Sequence, residues 1–154
     1  APVDGVKNAI QISCGDGAAY TLLADHTVLW WGVRVGSNGQ VAEQRLRPTP
    51  LGLSNVLQVA TAGLHVCVRL TDGSVQCAGL NDHGQLGDGT LQSRNTMAPV
   101  IGLSDVVDIA TNYFNSCAIV KTGALYCWGG NQFGQMANGS SGPPQTTPYL
   151  IGGL

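Results

Sequence analysis

The segment HVCVRLTDGSVQCAG, residues 65–79, is written again fifty positions later as NSCAIVKTGALYCWG, residues 115–129. Each holds two cysteines ten residues apart around a glycine-bearing turn. Working outward, LSNVLQVATAGLHVCVRLTDGSVQCAG from Leu53 lies on LSDVVDIATNYFNSCAIVKTGALYCWG from Leu103 without a gap. A more divergent copy, VKNAIQISCGDGAAYTLLADHTVLWWG, starts at Val6, at an offset of 47. A tandem repeat of this kind dictates the fold, because equivalent segments take equivalent shapes. The units cover about residues 2–49, 50–98 and 99–147 of a single segment, 1–154, and PYLIGGL at 148–154 reads as the opening of a fourth.

Within each unit the pattern is that of short strands. NAIQIS, NVLQVA and DVVDIA are apolar-rich runs of strand length, and HVCVRL with SVQCAG forms a hairpin about TDG. With Gly73 in the left-handed position of a three-residue loop, Cys67 falls directly opposite Cys77, and Cys117 opposite Cys127. The fourth strand is RPTPL, TMAPV or TTPYL, where proline is admissible only at a sheet edge. Four strands per unit of about fifty residues predict an all-β chain of three four-stranded antiparallel blades, a partial β-propeller or one completed by oligomerisation.

Composition fits this reading and excludes others. The 154 residues are 44% apolar and 10% charged, which suits a folded domain, and the 22 glycines punctuate strand-like segments. A net charge of -2 offers no basic field for nucleic acid, and no apolar run is long enough to insert into a bilayer. The start, APVDGV, carries neither an initiator Met nor a leader pattern, so the chain is expected to be a processed product or an excised piece.

Opposed cysteines at a non-hydrogen-bonded site have the Cα separation a disulfide needs. The competing reading is a pair of buried thiols; zinc is disfavoured because no C-x-x-C clustering is present. The first unit bears on the choice, since it replaces both members together, with Tyr20 and Trp30 at the aligned positions. A cross-strand aromatic pair is a plausible substitute for a cross-link. Disulfides Cys67–Cys77 and Cys117–Cys127 would imply an oxidising compartment, extracellular or periplasmic. Cys14, aligned with Thr61 and Thr111, has no partner in its own unit and is expected to be a buried thiol.

Other candidates read as architecture. Asn81 with Gly84-Gln85 and Asn131 with Gly134-Gln135 recur in register, which suits loop-bracing side chains and tight turns. The GDG strings at 15–17 and 87–89 lack the flanking Lys or carboxylate series of phosphate and calcium loops. His26, His65 and His83 occupy different unit positions and assemble no triad or metal set. NGS at 138–140 is a glycan acceptor only along a eukaryotic secretory route. No nucleophile motif, cofactor motif or metal site is found, so the chain is not read as an enzyme.

These landmarks together, a His-bearing strand, a D-G turn, a W-G pair at Trp31-Gly32 and Trp128-Gly129, and NDHGQLG at 81–87, resemble the repeat of the regulator of chromosome condensation family. The departures are Ala18 and Asn115 where the family His stands as His65, and Ala78-Gly79 for the W-G pair. The resemblance implies a propeller, usually of seven blades, in a family that includes exchange factors for a small GTPase, a plant ultraviolet-B receptor and a secreted bacterial β-lactamase inhibitor. In the inhibitory members the turn after the first strand lies on one rim and carries aromatic contacts. Here that turn is Asp16-Gly17-Ala18, Gly63-Leu64-His65 and Tyr113-Phe114-Asn115. Asp16, Leu64, His65, Tyr113, Phe114 and Asn115 are therefore the candidate partner-binding residues, against the alternative that Leu64 and Phe114 only pack between blades.

Function is expected where copies diverge, since shared positions build each blade. The leading expectation is a non-enzymatic, secreted module that binds a protein through one rim, with inhibition of a secreted hydrolase as its most concrete form. A self-assembling propeller piece, closed by a second copy or by the rest of a longer ring, and a carbohydrate-binding propeller are the alternatives. VAEQRLRP, LQSRNTMA and SSGPPQTT are expected to be solvated connections, with a contact surface through Arg45, Arg47 and Arg94 as the alternative. Exchange-factor activity sits poorly with paired cysteines.

Overall fold

A computed structural model describes residues 3–152. The first sheet contains β1 (Ala9–Cys14), β2 (Ala18–Leu23), β3 (Val28–Val35) and β4 (Val41–Pro50). The second contains β5 (Val56–Ala62), β6 (His65–Leu70), β7 (Val75–Gly79) and β8 (Arg94–Pro99), and the third β9 (Val106–Thr111), β10 (Asn115–Val120), β11 (Leu125–Asn131) and β12 (Gly142–Leu150). Each sheet is an antiparallel meander in chain order, with the first and fourth strands at its edges. The prolines of β4, β8 and β12 all sit on those fourth, edge strands, where a missing N–H costs no ladder bond.

The central hairpin has the expected register. Cys67 pairs with Cys77 and Cys117 with Cys127, and both pairs are disulfides with Cα separations of 4.1 and 4.0 Å. In the first sheet Tyr20 pairs with Trp30, their rings stacked at 6.3 Å. Gly73 has φ 79°, and the Leu70 and Ser74 backbones bond across it. The same three positions thus carry a covalent staple twice and an aromatic pair once.

The sheets stack face on face. Tyr20, Leu22, Val28 and Trp30 of the first bury themselves against Val59, Val66, Val68 and Ala78 of the second. The Cys67–Cys77 staple of the second lies against Ala118 and Trp128 of the third. A repeated polar link ties the inner strands together. Gln11 Nε2 donates to Val59 O at 2.9 Å while its Oε1 accepts from Val59 N at 3.0 Å. Gln58 makes the same two bonds with Ile109, at 3.0 and 3.1 Å. One side-chain amide per junction satisfies a buried donor and acceptor, and sets the stagger between neighbouring sheets.

Two expectations are corrected. VAEQRLRP lies wholly within β4, and most of LQSRNTMA and SSGPPQTT falls within β8 and β12; they are edge strands, not connections. Pro148–Leu150 end β12, as Pro50 ends β4 and Pro99 ends β8; Gly153 and Leu154, in the stretch expected to open a fourth unit, lie outside the described residues. Cys14 is exposed. At the aligned place Thr61 is covered by the preceding sheet, its N–H bonded to Ser13 Oγ at 3.0 Å, whereas no described sheet precedes the one that holds Cys14.

Candidate protein-binding rim

The β1–β2, β5–β6 and β9–β10 turns emerge at one end of the stack, and a recurring glycine fixes how they emerge. Gly32, Gly79 and Gly129 have φ of 103°, 116° and 106°, and a Cβ at any of them would lie within 2.3 Å of a carbonyl oxygen in the turn alongside. Only glycine lets the third strand come that close. The following N–H then bonds to the turn: Val33 to Gly17 O at 2.7 Å, Leu80 to Leu64 O at 3.0 Å, Gly130 to Phe114 O at 2.8 Å. Each turn is thereby clamped to its own sheet.

The turns are also joined to one another. Asp16 N donates to Gly63 O at 2.8 Å, linking the first turn to the second. Gly63, with φ 55°, is roofed by the Tyr113 ring, which would stand 3.4 Å from a Cβ there. Tyr113 reaches over it to donate its hydroxyl proton to Asp16 Oδ2. That bond to a carboxylate holds the Tyr113 phenol above its ordinary pKa. Phe114 packs on Tyr113 at 5.2 Å between ring centroids and on His83 at 4.5 Å, and His83 Nδ1 is 2.8 Å from Asp82 Oδ1. Asp16, Tyr113, Phe114, His83 and Asp82 thus form one continuous row drawn from all three sheets.

The six residues expected at this rim divide. Asp16 is exposed, Tyr113 is 50% exposed, and Leu64 and Phe114 are half-buried. Leu64 lies against Gly17, 3.0 Å from where its Cβ would be, and so seals the first junction at the rim. His65 and Asn115 are buried, at 2% and 4%, and their side chains are not available to a partner. They brace the rim from beneath. Asn115 Nδ2 donates to Gly130 O, while His65 Nε2 meets Ser116 Oγ at 3.0 Å. Because Ser116 Oγ is also 2.8 Å from Gln85 O and must donate there, His65 Nε2 carries the proton and Nδ1 is left bare, without a partner among the described residues. Burial pushes the His65 imidazole down to about 4.

Two parts of the row are not in the expected set. Asp82 and His83 come from the β7–β8 connection, read from sequence as a loop-bracing segment and a lone histidine; only the packing of Phe114 reveals them. Asn112 accepts from both Phe114 N and Asn115 N at 3.0 Å and holds the third turn in shape. A signal for it existed, since Asn112 replaces Gly15 and Ala62 of the aligned turns, and an Asn before a turn reads as an Asx cap. The Asn81 side chain does brace its loop, accepting from Leu86 N at 2.9 Å, and Asn131 does the same with Met136 N at 3.1 Å. Among the described residues no three His, Cys, Asp or Glu side chains gather to hold a metal ion. Nor is any described helix long and apolar enough to cross a membrane.

Residues 56–85 and 106–135 match the regulator of chromosome condensation (RCC1) repeat. Over 86 residues the chain is 34% identical to the E3 ubiquitin-protein ligase HERC2 of Homo sapiens, a match covering 53% of this chain and 2% of the ligase. Among solved structures it is similar to Prp20p from Saccharomyces cerevisiae, with a TM-score of 0.81 at 17% identity over 97% of this chain and 39% of that one. Human WBSCR16 gives 0.78 at 24% identity, again over 97% and 39%. The chain therefore spans about two fifths of these structures and a small part of the ligase.

Proposed function

We propose that this chain, whose residues 56–85 and 106–135 match the regulator of chromosome condensation repeat, is a non-enzymatic module that binds a protein partner through its rim row. The supporting observation is the run from Asp16 through Tyr113 and Phe114 to Asp82. It is a surface of aromatic and acidic side chains held by turns that are clamped to their sheets. Aromatic anchors on a rigid base bind proteins with little entropic cost. Prp20p has described binding properties toward Gsp1p and histones, which fits a propeller used for protein recognition.

The most concrete form is blockade of a secreted hydrolase, with the module working extracellularly or in a periplasm. Two disulfides support an oxidising location. The test is surface-plasmon binding to a panel of secreted hydrolases, with Tyr113→Ala and Phe114→Ala variants whose thermal melts match the parent. Loss of binding in both variants supports the reading; a partner held as tightly by both overturns it.

A second reading is that the segment is also a structural part of a larger ring. It is favoured by two outer sheet faces that repeat buried apolar positions: Ile12, 59% exposed on β1 where Val59 and Ile109 are buried, and Leu125, 37% exposed near the Cys117–Cys127 staple where Val75 is buried. Further blades or a second copy would cover both. Mass in solution separates these cases.

A further inference from the structure

The charge around the rim row specifies what it would bind. The row carries two exposed carboxylates, Asp16 and Asp82, at its two ends, and Tyr113 and Phe114 between them. Most cations of the neighbouring edge strands are already engaged; Arg47, exposed on β4, forms no ion pair among the described residues. Arg94 pairs with Asp88, and Arg34 donates to Asn95 O and lies near Glu43, which Arg45 also pairs with on the outer edge strand. Lys7, Arg69 and Lys121 belong to the opposite end, before β1, at the end of β6 and in the β10–β11 turn. Asp16 thus lies beside the half-exposed Tyr113 ring with no ion pair among the described residues, while at the other end of the row Asp82 meets only the His83 ring, at 2.8 Å.

We propose that the rim row recognises an arginine- or lysine-bearing segment of its partner, one cation lying against Tyr113 with Asp16 as its counter-charge and a second meeting Asp82 at the other end of the row. Three features of the row suit such a guest. A phenol ring attracts a cation to its face, and one whose hydroxyl donates to a carboxylate has a more electron-rich face. Asp16 keeps lone pairs free after accepting from Tyr113, since a carboxylate takes more than one donor. Backbone clamps on both sides hold the ring and the carboxylates in place before binding, so little is lost in ordering them.

This inference rests on the rim reading, and its test separates the two. The probe is an acetylated, amidated hexa-arginine peptide titrated into the full chain and followed by amide NMR shifts, with hexa-glutamate as the control. Shifts are expected at Asp16, Gly63, Tyr113, Phe114, Asp82 and His83 with hexa-arginine and none with hexa-glutamate. The double variant Asp16→Asn/Asp82→Asn should weaken binding roughly tenfold or more. Asp25→Asn/Asp72→Asn removes the same charge from the hairpin turns at the opposite end and should leave the shifts at the rim. Equal weakening by both double variants, shifts centred on the hairpin turns, or no hexa-arginine binding would overturn the inference. A hydrolase partner lost with Tyr113→Ala yet retained by Asp16→Asn/Asp82→Asn would overturn it too, while leaving the rim reading in place.

Discussion

Gln58 of the second sheet holds Ile109 of the third at two points, donating to its carbonyl at 3.0 Å and accepting from its N–H at 3.1 Å. The third sheet has Asp108 at the position aligned with Gln58, and a carboxylate can accept but not donate. The polar link that repeats at Gln11 and Gln58 therefore changes character at the outer face of the third sheet.

Gln58→Glu should loosen the second junction. It removes the donor to Ile109 O and places its charge beside Asp108, which lies 2.7 Å from the amide nitrogen now. A loss of about 1–3 kcal/mol is expected, read as a lower urea midpoint. Gln58→Glu at parental stability would show that the link carries no energy.

The two staples should differ in reactivity. Cys67 and Cys77 are both 1% exposed between sheets, whereas Cys117 is half-buried on the uncovered face. Under a mild reductant followed by alkylation, mass spectrometry should find Cys117 and Cys127 labelled before Cys67 and Cys77. Reoxidation-proof removal of the inner staple, Cys67→Ser/Cys77→Ser, should cost roughly 2–3 kcal/mol from chain entropy alone.

Acid should weaken the fold through His65. Its folded value, near 4, lies below the ordinary 6.5, so the unfolded chain binds more protons in between. Stability from this residue is complete above pH 6.5 and falls as pH drops toward 4, by on the order of 3 kcal/mol in total. His65→Asn, which copies the residue at the aligned position of the third unit, should flatten that slope. Urea midpoints measured at several pH values for both proteins decide it.

Tyr113 should report on the rim bond directly. Its hydroxyl donates to Asp16, which holds the proton on and raises the phenol above its usual pKa. Asp16→Asn should move the Tyr113 transition in an ultraviolet pH titration back down. An unchanged transition would mean that the two side chains do not meet in solution.

The fold was legible because a repeat read once is read three times. The two cysteine pairs announced the hairpin register, and the joint change to Tyr20 and Trp30 gave away that those two positions touch. The edge strands were half-hidden, since their proline and polar content imitates a connection; β4 runs ten residues where five were read. At the rim, the turn residues were placed correctly in the chain, but burial was not legible. His65 and Asn115 alternate with rim residues and look equally polar, and only the second strand's pleat turns them inward. Asp82 and His83 enter the row through a contact between sheets, which no spacing within one unit encodes.

The central claim is that the partner is held by the row from Asp16 to Asp82. The most direct measurement is amide shift mapping of the chain bound to the tightest-binding hydrolase of the panel. The account predicts perturbations concentrated at Asp16, Gly63, Tyr113, Phe114, Asp82 and His83. Perturbations concentrated instead at the hairpin turns around Asp25, Asp72 and Lys121, with the rim signals unmoved, would contradict it.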